Sequence, residues 1–181
     1  LANAGKYVDE VHLFANELMV KALDHKSARW YEFFDFANAL YVNILSHNLC
    51  TISQAEIERI ITAFTSGNYE MVHTLDALIK SGHYEDLFLE AFKTSFATAE
   101  YYEFSRAFKK ILEMASPETQ HMVMRQIRNL ASQGINLPVA GEIAQYLRSE
   151  DSTMRALARE IEAEVAYRSS WLGWLSSWVN K

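Results

Sequence analysis

Two pairs of residues in this chain have the spacing of a metal site. Glu70 lies three residues before His73, and Glu118 lies three residues before His121. Residues three positions apart share one face of a helix, and ferritin-like bundles combine two such Glu-x-x-His pairs into a carboxylate-bridged di-iron site. These four residues define one alternative function, a di-metal carboxylate oxidase.

The repeated pattern around the first pair argues against that alternative. At intervals of fifteen residues, the positions equivalent to His73 are Phe88 and Glu103, beside Glu85 and Glu100. The feature that recurs is therefore the acid in the first turn of each helix, where the helix dipole favours a negative charge. We predict no metal and no other cofactor.

Other signatures of catalysis are missing from the sequence. It contains no Gly-x-Ser-x-Gly nucleophile elbow and no glycine-rich phosphate loop. Cys50 lies in an apolar stretch, which is typical of a buried structural thiol. We interpret the aromatic pair Tyr101 and Tyr102, like the cluster at residues 31–36, as core packing rather than a cofactor site. The sequence therefore predicts a protein that is not an enzyme and has no catalytic residues.

The clearest binding signal is an apolar stripe at the C-terminus. Four of its residues lie at three- and four-residue steps along one side of a helix, and a neighbouring leucine widens this apolar stripe. The five residues are Trp171, Leu172, Trp174, Leu175 and Trp178. A docked tryptophan buries on the order of 200 Å² of surface, so we expect the stripe to be covered. Three alternatives stay open, in which the stripe caps the helical domain, inserts at a membrane interface or docks into a groove of a partner protein.

The N-terminal residues 1–48 are predicted to form a pair of helices. The first helix has apolar residues along one side: Val8, Val11, Phe14, Leu18 and Ala22. The second helix, from about Ala28 to Ser46, has aromatic residues around most of its circumference. We expect this second helix to be central and largely buried.

Residues 53–167 are predicted to form a stack of antiparallel helices. Ser53 and Glu56 have the spacing of a capping box, in which each side chain bonds the other residue's backbone N–H. Start signals recur every fifteen residues, at Ser53, Asn68, His83 and Thr98. Later helices are predicted to begin near Ala99, at Ser116 with Pro117 at its first position, at Pro138, and between Ser149 and Ser152.

This periodicity resembles that of armadillo-like helical stacks. The predicted fold is one all-α domain, residues 1–181, of about eight to ten short antiparallel helices, arranged as an armadillo- or HEAT-like stack or as an irregular bundle. A Trp-rich amphipathic helix at residues 170–181 is predicted to close it. No glycine- or serine-rich linker divides the chain.

Composition narrows the class of partner. A net charge of -6 argues against nucleic acid, whose phosphates require clustered cations. We interpret the basic clusters at residues 106–110 and 125–128 as solvated helix faces. We expect a non-catalytic protein–protein interaction module of the adaptor, scaffold or secreted-effector type. It would bind a helix or peptide of a partner with a basic or mixed surface. The alternative from another class is a peripheral membrane protein anchored by the C-terminal helix.

The sequence carries limited information on location. Cys50 is the single cysteine, so no internal disulfide forms. This suits the cytoplasm or another reducing compartment, with membrane association as the alternative. The chain begins at Leu1 rather than Met, which leaves room for an N-terminal targeting segment. The oligomeric state stays open.

Overall fold

The computed structural model describes residues 2–24, 30–65, 68–147 and 152–179, and its regular structure within these ranges is entirely α-helical. Nine helices follow one another in this part of the chain: α1 (Ala2–Leu23), α2 (Trp30–Ser46), α3 (Gln54–Thr65), α4 (Met71–Lys80), α5 (Glu85–Thr98), α6 (Tyr101–Met114), α7 (Pro117–Ser132), α8 (Leu137–Leu147) and α9 (Ser152–Val179). They form a single compact domain, which confirms the predicted all-α fold.

The helices are stacked in two layers. Each helix packs against the helix two places further along the chain, so that α1, α3, α5, α7 and α9 form one layer and α2, α4, α6 and α8 form the other. Contacts between the layers are most extensive at the two ends, where α1 packs on α2 and α8 packs on α9. The arrangement is the predicted helical stack.

Local capping residues set the starts of several helices. Before α3, the Ser53 backbone N–H donates to Glu56 Oε2 at 3.0 Å, and the Glu56 backbone N–H donates to Ser53 Oγ at 3.4 Å. This confirms the predicted capping box. Before α7, Ser116 Oγ accepts from the Thr119 backbone N–H, and Pro117 is the first helical residue, as expected.

The N-terminal pair buries different faces from those predicted. On α1, Leu18 and Ala22 are buried, but Val11 is 40% exposed and Phe14 is 52% exposed. The buried face is centred instead on residues 15, 18, 19 and 22, because α1 packs on α2 and α3 along that side. The prediction of a largely buried α2 is wrong at Tyr31 and Phe36, because α1 and α4 cover only part of that helix.

A cluster of four phenylalanines joins α5 to α6. Phe88, Phe92 and Phe96 follow one face of α5, and Phe104 of α6 meets them. The Phe104 ring lies edge-on to the rings of Phe92 and Phe96, with centroids 5.9 Å and 5.1 Å away. All four side chains are buried, so this cluster forms part of the hydrophobic core between α5 and α6.

The last helix is longer than predicted. Instead of an amphipathic helix followed by a separate C-terminal helix, α9 runs without a break from Ser152 to Val179. Met154, Ala158 and Ile161 are buried, and α9 packs against α7 and α8. The backbone of residues 171–179 therefore extends the same helix that closes the stack.

Candidate functional site

The predicted docking stripe lies at the end of α9. The backbone at Trp171, Leu172, Trp174, Leu175 and Trp178 is helical, while the side chains of these residues lie outside what the structure describes. The last interhelical hydrogen bond described before the stripe is donated by the Arg168 guanidinium to the Ser132 carbonyl at the end of α7. The three alternatives for the stripe, which are capping the domain, inserting at a membrane interface and docking on a partner protein, therefore stay predictions.

The two Glu-x-x-His pairs do not converge on one position. Glu70 and His73 are exposed near the start of α4, whereas Glu118 and His121 lie at the start of α7. The Nδ1 atom of His121 lies 2.7 Å from the Pro117 carbonyl oxygen of its own helix. Throughout the described ranges, no group of three or more His, Cys, Asp and Glu side chains is placed to hold a metal ion.

A buried carboxylate joins the first three helices. Glu56 Oε1 lies 2.6 Å from His12 Nε2 and accepts a hydrogen bond from the Tyr41 hydroxyl at 3.0 Å. Its Oε2 atom accepts from the Ser53 backbone N–H and hydroxyl. Both carboxylate oxygens are thus occupied by bonds between α1, α2, α3 and the residue before α3. We interpret this cluster as a structural clamp.

The ionisation of this clamp follows from its contacts. Burial by itself raises the pKa of Glu56, but hydrogen bonds from Ser53 and Tyr41 and the neighbouring His12 outweigh it and lower the pKa below its ordinary value. Burial and the carboxylates of Glu56 and Asp9 raise the pKa of the nearby Cys50 thiol. The raised pKa disfavours the reactive thiolate, but Cys50 is only partly buried and not fully buried as predicted.

A second carboxylate ties α4 to the start of α7. Asp76 Oδ1 accepts from the Ser116 backbone N–H at 3.0 Å, from the Ser116 hydroxyl at 2.5 Å and from the Thr119 hydroxyl at 2.7 Å. Asp76 Oδ2 accepts from Lys80 Nζ at 2.6 Å. Burial opposes ionisation, but these donors hold the pKa of Asp76 at about 2, below its ordinary 3.8.

We expect the Asp76→Asn variant to be less stable than wild type by roughly 1.5 kcal/mol above pH 4, because charged hydrogen bonds are lost. A lowered pKa stabilises the fold above the ordinary pKa, and this contribution disappears as the pH falls through the folded value. The difference between variant and wild type should therefore shrink from pH 4 towards pH 2. Urea denaturation of both proteins across this pH range measures the difference in their free energies of unfolding.

The exposed Asp86 of α5 provides the control, because Asp86→Asn removes the same charge without an interhelical bond. This control should change the free energy of unfolding by less than about 0.5 kcal/mol. An Asp76→Asn difference that is the same at pH 2 and pH 7 would contradict the assignment.

A cleft that combines tyrosine rings with cationic side chains lies between α6 and α8. The cleft has a volume of about 480 Å³ and is lined by Tyr69, Tyr102, Ser105, Arg106, Lys109, Lys110, Glu113, Glu142 and Tyr146. We call it the α6–α8 cleft. Tyr69 reaches it from the segment before α4, so three parts of the chain build its walls.

Cations lie over the tyrosine rings of this cleft. The Arg106 guanidinium carbon is 5.6 Å from the ring centre of Tyr69 and 5.5 Å from that of Tyr102. Lys109 Nζ is 4.1 Å from the ring centre of Tyr146. Such contacts orient the cations and leave their N–H donors available. Among the described residues neither Arg106 nor Lys109 has a carboxylate within ion-pairing distance.

The chain matches no protein-family model, no curated protein and no solved structure. The site is therefore interpreted from its own geometry. Within the described ranges, no helix combines the length and the apolar character that crossing a membrane requires.

This cleft was not predicted from the sequence. Tyr102 was interpreted as a core residue, but its side chain is 67% exposed, while the side chain of Tyr101 lies outside the described residues. Residues 106–110 were interpreted as a solvated helix face. The available signal was the spacing of Tyr102, Arg106 and Lys109, which places an aromatic residue and two cations along neighbouring turns of one helix. Tyr69 and Tyr146 come from elsewhere in the chain, and that spacing does not reveal them.

Proposed function

We propose that this protein is a non-catalytic interaction module that binds a peptide or helix of a partner protein in the α6–α8 cleft. The observation that carries the proposal is the pair of exposed cations, Arg106 and Lys109, held over tyrosine rings without an ion pair among the described residues. Binding surfaces of proteins are enriched in arginine and tyrosine, which contribute most when they are already oriented for contact.

The size and chemistry of the cleft support a peptide ligand. A volume of about 480 Å³ accommodates a few side chains of a partner, within the usual range for binding clefts. Tyrosine rings offer apolar contact area and hydroxyl groups together, at little cost in conformational entropy. Because the rings come from α6, α8 and the segment before α4, the packed stack fixes their relative positions.

Reversing both cations should remove the binding. Peptides selected from a random phage library on the wild-type protein are titrated against wild type and against the Arg106→Glu/Lys109→Glu double variant. We expect the double variant to bind them at least ~10-fold more weakly, because two oriented charged contacts are lost or made repulsive. Fluorescence anisotropy of the labelled peptides measures the affinities.

The control is Arg125→Glu/Arg155→Glu, which changes the net charge by the same amount at two exposed arginines of α7 and α9. It should bind the selected peptides as tightly as wild type does. Circular dichroism must show that both variants are folded. A library that yields no binders, or binders equally weakened by both variants, would reject the proposed function.

A further inference from the structure

One polar group that lines the α6–α8 cleft has no hydrogen-bond partner in the part of the chain that the structure describes. Ser105 lines the cleft, its side chain is only 4% exposed, and its hydroxyl forms no hydrogen bond with the described residues. A serine within a helix commonly bonds a carbonyl one turn earlier or points to solvent. A buried hydroxyl without a hydrogen-bond partner is unfavourable for folding. Its presence here therefore favours a ligand that supplies the hydrogen-bond acceptor.

The wall of the cleft that α6 forms carries positive charges near the Ser105 hydroxyl. Ser105 lies four residues before Lys109 and next to Arg106, so that the three donors occupy neighbouring positions on α6. Lys110 forms an ion pair with Glu113 and is internally neutralised. On the opposite wall, Glu142 of α8 also carries a charge. Among the described residues, two cations without an ion pair therefore face one carboxylate across the cleft.

We propose that the α6–α8 cleft recognises an acidic peptide, with a glutamate or aspartate carboxylate that accepts hydrogen bonds from Ser105, Arg106 and Lys109. This assignment rests on the proposed function and names the chemistry of its ligand. Carboxylate oxygens accept several hydrogen bonds at once, and arginine binds them with two parallel donors. The net charge of the chain favoured a basic or mixed partner, but the local charge of this cleft favours an acidic one.

A nucleic acid fits the cleft less well. A nucleic-acid backbone requires several cations along an extended path, whereas the described lining of this cleft has two cations without an ion pair, together with the carboxylate of Glu142. A single side-chain carboxylate needs only the donors that are present. The tyrosine rings then contact the neighbouring side chains of the peptide.

The test uses peptides whose binding the Arg106→Glu/Lys109→Glu variant abolishes. Replacing the acidic residues of such a peptide one at a time by their amides should identify one position at which affinity falls ~10-fold, as expected for a charged hydrogen-bonded contact. Ser105→Ala should weaken the parent peptide ~5-fold and have little effect on that amide peptide. Glu142→Gln should strengthen binding of the parent peptide ~3-fold, since it removes a repulsive charge.

The failures of the two proposals are distinguishable. If no peptide depends on the cleft, the proposed function fails. If peptides depend on Arg106 and Lys109 but are neutral or basic, or bind equally as amides, the proposed function stands and the acidic ligand is rejected. Equal affinity of the Ser105→Ala variant would also overturn the assigned contact. Fluorescein-labelled oligo(U) RNA provides the last comparison, and tighter cleft-dependent binding of this RNA would overturn the assignment.

Discussion

Replacing Phe104 by alanine should lower the free energy of unfolding by about 3–5 kcal/mol. The ring is completely buried and lies edge-on to the rings of Phe92 and Phe96, so its removal opens a cavity where α6 meets α5. The surrounding rings are held by their own helix and relax only partly into the space. Urea denaturation followed by circular dichroism measures the loss.

The matched control for this substitution is Phe36→Ala, because the Phe36 side chain is 64% exposed. That variant should change the free energy of unfolding by less than about 1 kcal/mol. If Phe104→Ala does not fold, Phe104→Leu, with an expected loss of about 1–2 kcal/mol, keeps the comparison measurable. A Phe104→Ala variant as stable as the Phe36→Ala control would contradict the role assigned to the phenylalanine cluster.

The second large effect is expected at Glu56. Glu56→Ala should destabilise the protein by about 3 kcal/mol at neutral pH, because it leaves the buried Tyr41 hydroxyl without its acceptor and removes the cap of Ser53. It also breaks the contact of α1, through His12, with α3. Chemical denaturation at pH 7 tests this expectation.

Glu58 on the exposed side of α3 is the control, since Glu58→Ala makes the same substitution on the same helix. Among the described residues, its carboxylate accepts a hydrogen bond from Gln54 one turn earlier on the exposed surface, so we expect a loss below about 0.5 kcal/mol. Because the pKa of Glu56 is lowered in the fold, its contribution is present above the ordinary glutamate pKa and declines in acid. Equal losses for Glu56→Ala and Glu58→Ala would show that the clamp contributes nothing.

Helix starts could be predicted from the sequence because their determinants are local. Ser53 and Glu56 are bonded to each other's backbone across a single turn, and Ser116 and Pro117 act on the first turn of α7. Such contacts depend only on residues that are neighbours in the chain. They hold whichever helices pack nearby.

Burial was harder to predict because it depends on which helices meet. The predicted apolar stripe of α1 through Val11 and Phe14 has the correct helical period. However, α2 and α3 cover a different face of α1, which is rotated about the helix axis relative to that stripe. In the same way, Tyr102 is an aromatic residue of a type that is often found in the core, but its side chain is exposed in the cleft. A single sequence contains the period of each helix and not the directions from which its neighbours approach.

The continuity of α9 shows a third limit. A separate helix was predicted at residues 170–181, and the residues at positions 168–170 before the tryptophan stripe are polar. A helix does not end where its apolar face ends, however, but where its backbone is broken, and no proline occurs between Ser152 and Val179. The backbone therefore stays helical beyond the last described interhelical hydrogen bond, at Arg168.

The order of packing also governs how the molecule can assemble and come apart. Every extensive contact joins helices that are at most three places apart in the chain. Short loops are closed before each such contact forms, so little chain entropy is lost per step, and topologies of this kind fold rapidly. Opening can begin at either end, where a terminal helix has neighbours on one side only, and can proceed inward. The α6–α8 cleft and the phenylalanine cluster are built by residues from Tyr69 onwards, whereas α1 packs on α2 and α3, so fraying of the first helix leaves both intact.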